Sequence, residues 1–106
     1  MMQPGMEKHI LVVDDEQDIL ELISYNLSKE GYKVSMASDG VQGLDAARKG
    51  RPDLVILDVM MPGMDGFEVC KALRQDPALA TTAVMFLTAK AGEIDQILGL
   101  ELGADD

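Results

Sequence analysis

The chain has 106 residues, with 9 Lys plus Arg against 19 Asp plus Glu, a formal net charge of −10. That length is one small domain, and that charge argues against binding a nucleic-acid backbone or an anionic membrane surface. One cysteine, Cys70, excludes a disulfide framework and a Cys-rich zinc site, and an aromatic share of 4% leaves any core to be built from aliphatic side chains.

Residues 1–7, with Pro4 and Gly5, read as a loose tail, and residues 8–106 as the domain. No stretch matches a secretory signal or a membrane span, so a cytoplasmic location is expected. Ile10 to Val13 is the first buried strand and ends at Asp14 and Asp15. Ile19, Leu20, Ile23 and Leu27 then recur at helical spacing, with Gly31 as the stop. Lys33 to Ala37 is a weaker strand. Ser38 or Asp39 can cap a second helix with Val41, Leu44 and Ala47 inward, closed by Gly50.

Leu54 to Leu57 is a third strand, followed by Asp58 and a Gly/Pro loop. A third helix spans about Gly66 to Gln75, capped by Asp65 and ended by Asp76-Pro77, with Phe67, Cys70 and Leu73 inward. Val84 to Leu87 is a fourth strand, followed by Thr88, and Ile94, Ile97 and Leu98 mark a fourth helix that stops near Gly103. Continuous apolar strands alternating with amphipathic helices indicate a parallel sheet covered on both faces.

The informative feature is what ends each buried strand: Asp14 and Asp15, Asp58, and Thr88. Ligands of open α/β sheets bind outside the carboxyl ends of the strands. Carboxylates gathered there repel by about 4 kcal/mol per pair at ~4 Å and an effective dielectric of ~20. Such a cluster calls for a proton or a cation, and hard oxygen ligands suit Mg²⁺. The plainer alternative is that Asp15 or Glu16 merely starts the helix at Gln17. Asp58 resists that explanation, since it terminates a fully apolar run.

Four segments, ILVVDD (Ile10–Asp15), LVILDVMMPGMDG (Leu54–Gly66), VMFLTA (Val84–Ala89) and LGADD (Leu102–Asp106), together resemble a two-component response-regulator receiver domain. The likeness runs from Lys8 onward. It implies a flavodoxin-like, doubly wound parallel sheet of order 2-1-3-4. It also implies that Asp58 accepts a phosphoryl group from a sensor histidine kinase. Asp15, Asp58 and the carbonyl of Met60 would bind Mg²⁺, Asp14 acting through a coordinated water. Thr88 would donate its hydroxyl to a phosphoryl oxygen, and the N–H groups of Met60 and Ala89 would cradle the others. The side chains of Met60 and Lys90 would flank the site and tune the phosphate's lifetime. Such a domain is a self-phosphorylating acceptor that switches partner binding, not a turnover enzyme.

Receivers normally continue into a fifth strand, which carries a lysine that pairs with the phosphoryl group, and a fifth helix. The sequence stops before both. The expectation is therefore impaired phosphate acceptance and self-association through an unpaired sheet edge. Lys90 lies two residues past Thr88, not on the next strand. The segments LELISYNLSKEGY (Leu20–Tyr32) and LGLELGADD resemble receivers that precede winged-helix DNA-binding domains, which implies a transcriptional parent with no nucleic-acid contact by this domain itself. Two alternatives stay open: an interaction module that keeps the fold without the chemistry, and a Mg²⁺-dependent phosphohydrolase. A haloacid-dehalogenase phosphatase wants an acid two residues after its nucleophile, where this chain has Met60. No EF-hand or Walker spacing is present. His9 reads as a surface histidine and Cys70 as a small core thiol.

Overall fold

In the computed structural model, which describes residues 7–87, the two central strands, His9–Val13 and Leu54–Asp58, are buried on both faces, as continuous apolar runs require. The elements run β1 (His9–Val13), α1 (Gln17–Lys29), β2 (Lys33–Ala37), α2 (Gly40–Gly50), β3 (Leu54–Asp58), α3 (Gly66–Gln75) and β4 (Ala83–Leu87). All strand pairs are parallel and the sheet order is β2-β1-β3-β4. This is the expected α/β, flavodoxin-like arrangement. The tail through residue 6 and the expected fourth helix lie outside the described residues.

Successive side chains of a strand alternate between faces, and here each face has its own core. Ile10, Val12 and Ile56 pack with Leu20 of α1, while Ile23 and Leu27 close in from the side. Leu11, Val13, Val55, Leu57, Val84 and Phe86 pack against α2 and α3 through Ala47, Val69, Cys70 and Leu73. Burying one such aliphatic side chain stabilises the fold by about 1.5–3 kcal/mol, so this double layer fixes the strand ends firmly.

Helix boundaries follow local chemistry. The Asp39 side chain accepts from the Gln42 N–H at 2.7 Å at the start of α2. Asp65 and Glu68 form a reciprocal capping box at α3. Gly31 takes a positive φ of 98° after α1, as its stop position requires. Arg74 holds the connection to β4: its Nη1 donates to the carbonyls of Ala80 at 3.0 Å and Thr82 at 2.8 Å.

Three local expectations need correction. Val41 is 68% exposed, and the buried side of α2 is instead Gly40, Gly43 and Ala47. A Cβ at Gly43 would come within 2.8 Å of Val13 Cγ2, so the helix lies too close to the sheet for a larger residue. Phe67 is 50% exposed and rests its ring 4.8 Å from that of Phe86, while Val69 takes the inward position. Gly50 is the last residue of α2, but the left-handed residue that ends the helix is Arg51, at φ 48°. Gly50 is used for packing: a Cβ there would meet His9 Cε1 at 2.9 Å.

A non-glycine residue in the left-handed region costs about 1–2 kcal/mol, partly offset by the chain entropy that glycine adds to the unfolded state. Arg51→Gly is therefore expected to stabilise the domain by about 0.5–1 kcal/mol, read from urea denaturation. A loss of stability would show that the Arg51 side chain supplies more than its backbone strain costs.

Candidate functional site

The sheet delivers acids from two adjacent strands to one rim. Asp14 and Asp15 follow β1 directly, and Asp58 is the last residue of β3. Because β1 and β3 pair in register, with Val13 opposite Leu57, the acids after each strand arrive side by side. Carboxylate oxygens of Asp14, Asp15 and Asp58 lie within 4.8 Å of one another. Asp14 and Asp58 are buried, at 5% and 8% exposure, whereas Asp15 is exposed.

Glu16 occupies the N-cap position of α1 with no side-chain cap hydrogen bond. Asp14 Oδ1 accepts the Glu16 N–H at 2.8 Å, ahead of the helix. Asp58 Oδ1 accepts the Met60 N–H at 3.1 Å. Each of these hydrogen bonds engages one oxygen of its carboxylate. Capping therefore does not explain why the acids meet.

Their electrostatics are governed by burial and like charge. Burial pushes the Asp58 carboxyl from its ordinary 3.8 up to about 7, and the neighbouring Asp14 charge adds to that effect. Asp14 is raised as well, again by burial first, with the Glu16 N–H opposing the rise. Asp14 and Asp58 form the polar end of a groove of about 400 Å³, whose walls include Ile19, Leu22, Ile23 and Leu87. The groove joins the acids to the flank of α1.

Met60, two residues after Asp58, is 68% exposed. Leu87 pairs with Asp58, so β4 ends next to the cluster. Thr88, Ala89 and Lys90 lie outside the described residues. Sequence reasoning missed the contacts behind the acids: the Glu16 N–H on Asp14, and Gly66, whose Cβ would collide with the carbonyl oxygen of Asp58. The Gly at the start of α3 was the available signal for such a close approach.

The family model described as the response regulator receiver domain matches residues 10–106. The chain belongs to this family. It is a receiver domain of two-component signalling. Among curated proteins it is 54% identical over 101 residues to the alkaline phosphatase synthesis transcriptional regulatory protein PhoP of Bacillus subtilis. That match covers 95% of this chain and 41% of the relative, so the receiver spans less than half of that protein's length. Among solved structures, chemotaxis protein CheY4 of Vibrio cholerae superposes with TM-score 0.80 at 36% identity, covering 93% of this chain and 82% of that one. The N-terminal domain of a response regulator receiver protein from Methanoculleus marisnigri does so with TM-score 0.80 at 35% identity, covering 93% and 80%. Among the described residues of this receiver, no helix is long and apolar enough to cross a membrane.

The raised carboxyl pKa sets a pH dependence. The folded receiver holds a proton on the Asp14–Asp58 pair that the unfolded chain has already released, so stability falls as pH rises from about 4 to about 7 and levels off above. A tenfold change in proton affinity is worth about 1.4 kcal/mol, which places the full effect on the order of 2–4 kcal/mol. Asp58→Asn is therefore expected to raise the melting temperature at pH 8 in the absence of divalent metal, and to leave it nearly unchanged at pH 4. Equal melting temperatures for the two proteins at pH 8 would show that Asp58 carries no such electrostatic cost.

Proposed function

We propose that this receiver accepts a phosphoryl group on Asp58 from a sensor histidine kinase in a Mg²⁺-dependent reaction, and that the modified domain switches partner binding. The observation that carries this reading is the convergence of three carboxylates, two of them buried, at the end of β1 and β3. Buried acids with raised pKa values fit a hard divalent cation. Asp14, Asp15 and Asp58, together with the Met60 carbonyl, would hold Mg²⁺. When bound, the metal supplies neutralisation of negative charge on the acids and on the incoming phosphoryl oxygens.

The chain's own residues then do the positioning. Asp58 Oδ1 is steadied by the Met60 N–H, and the other carboxylate oxygen attacks phosphorus. An O–P bond forms on Asp58 as the P–N bond of the phosphohistidine breaks, and the imidazole leaves with the electron pair and takes up a proton. Phosphoryl transfer depends mainly on alignment and charge stabilisation, and an acid fixed at a strand end provides alignment. Thr88 follows Leu87, the residue paired with Asp58, and is assigned the hydroxyl that donates to a phosphoryl oxygen; the Ala89 N–H is assigned a second oxygen. The kinase reaches Asp58 along the groove, where Leu22 of α1 is 58% exposed. Transcriptional output, as the name of the Bacillus relative indicates for that protein, is proposed for the larger protein of which such a receiver forms part.

Turnover of phosphomonoesters is the weaker reading, because Met60 occupies the position where a hydrolase of that design needs an acid. Incubation with a small acyl phosphate, read by intact-protein mass, separates the possibilities. The whole chain is expected to gain one phosphoryl group only when Mg²⁺ is present, and Asp58→Asn to gain none. Labelling that persists in Asp58→Asn, or that ignores removal of Mg²⁺ by a chelator, would contradict the proposal.

A further inference from the structure

We propose that Gly40, on the first turn of α2, is a positioning residue for the loop behind Asp58, so that α2 sets the geometry of the acid cluster without touching it. This inference rests on the receiver reading above and assigns part of that site's alignment to a helix outside it. Gly40 is buried, and a Cβ there would lie 2.5 Å from the Met64 carbonyl oxygen, 2.9 Å from Met64 Cβ and 3.0 Å from Val69 Cγ2. The nearest of these atoms is backbone, which cannot swing aside as the end of a long side chain can. Glycine is a poor helix former, so its use as the first helical residue, just after the Asp39 cap, follows from this contact and not from helix formation.

The two ends of the loop of residues 59–65 are brought together where Gly66 packs directly on the carbonyl of Asp58 and its N–H donates to the Val59 carbonyl at 3.1 Å. Within the loop, Met64 bears on Gly40, and the Met60 N–H donates to Asp58 Oδ1. The same face of α2 also touches β1, since Gly43 lies against the side chain of Val13, the residue before Asp14. One helix face therefore bears on both halves of the cluster: the strand that delivers Asp14 and the loop that steadies Asp58. A side chain at Gly40 pushes the loop away from α2 and drags the Met60 N–H with it. A displacement of about 1 Å in a reacting geometry can cost about 100-fold in rate.

The test compares Gly40→Ala, Met64→Gly and the control Val41→Ala in the whole chain. Val41 shares the same turn but is 68% exposed. Amide hydrogen exchange by NMR is expected to speed up at Met60 and Gly66 by about tenfold or more in Gly40→Ala, with the amides of β1 and β3 still protected and Val41→Ala unchanged. With the small acyl phosphate, Gly40→Ala is expected to label Asp58 about 10- to 100-fold more slowly and to need more Mg²⁺ for half-maximal rate. Should Gly40→Ala fail to fold, Met64→Gly decides, since it removes the Cβ that packs against the Gly40 position, and it is expected to act in the same direction by a smaller factor. Wild-type exchange at Met60 in these variants, or faster exchange spread evenly over all strands, overturns the proposal. If the wild-type chain itself takes no label, the phosphoacceptor reading fails, while the exchange data still decide whether α2 positions the loop.

Discussion

The structure turns on an electrostatic conflict that the fold creates and does not itself relieve. Asp14 and Asp58 are buried next to one another, and Asp15 adds a third carboxylate at the surface. Buried like charges are costly unless a proton or a cation joins them. One backbone N–H to each buried acid offsets only part of that cost. The remainder favours uptake of a proton or a cation at the cluster.

Everything else serves to keep those acids where they are. Parallel pairing of β1 with β3 brings the two strand ends level. Apolar cores on both faces of the sheet make the strands hard to shift, since close-packed interiors transmit displacement and do not absorb it. Arg74 ties down the chain between α3 and β4, and the capping box at Asp65 and Glu68 fixes where the loop after Asp58 ends. The pattern divides the labour: rigid strands carry the acids, and short glycine-bearing turns bring backbone groups up against them.

Much of this was legible in the residues. Continuous aliphatic runs declared buried parallel strands, and Asp58 at the end of one of them declared a rim position, because a lone acid closing an apolar run has no other ready explanation. Val41 and Phe67 were misplaced for a common reason. Helical periodicity weighs large apolar side chains, whereas α2 approaches the sheet through Gly43 and α3 turns Val69 inward, leaving Phe67 to lie on Phe86. Gly50 misled differently: a glycine at a helix end usually signals a left-handed residue, but here it makes room for His9 and passes the positive φ to Arg51. The contact of Gly40 with Met64 could not be read at all, because it joins residues on separate elements whose proximity only the sheet order establishes.

Calorimetric titration of Mg²⁺ into the metal-free chain tests the central claim most directly. A single binding event is predicted, with proton release at pH 6.5 that fades by pH 8.5, and it should weaken sharply in Asp15→Asn and in Asp58→Asn. Absence of saturable binding, or binding that is indifferent to loss of either carboxylate, would contradict the account.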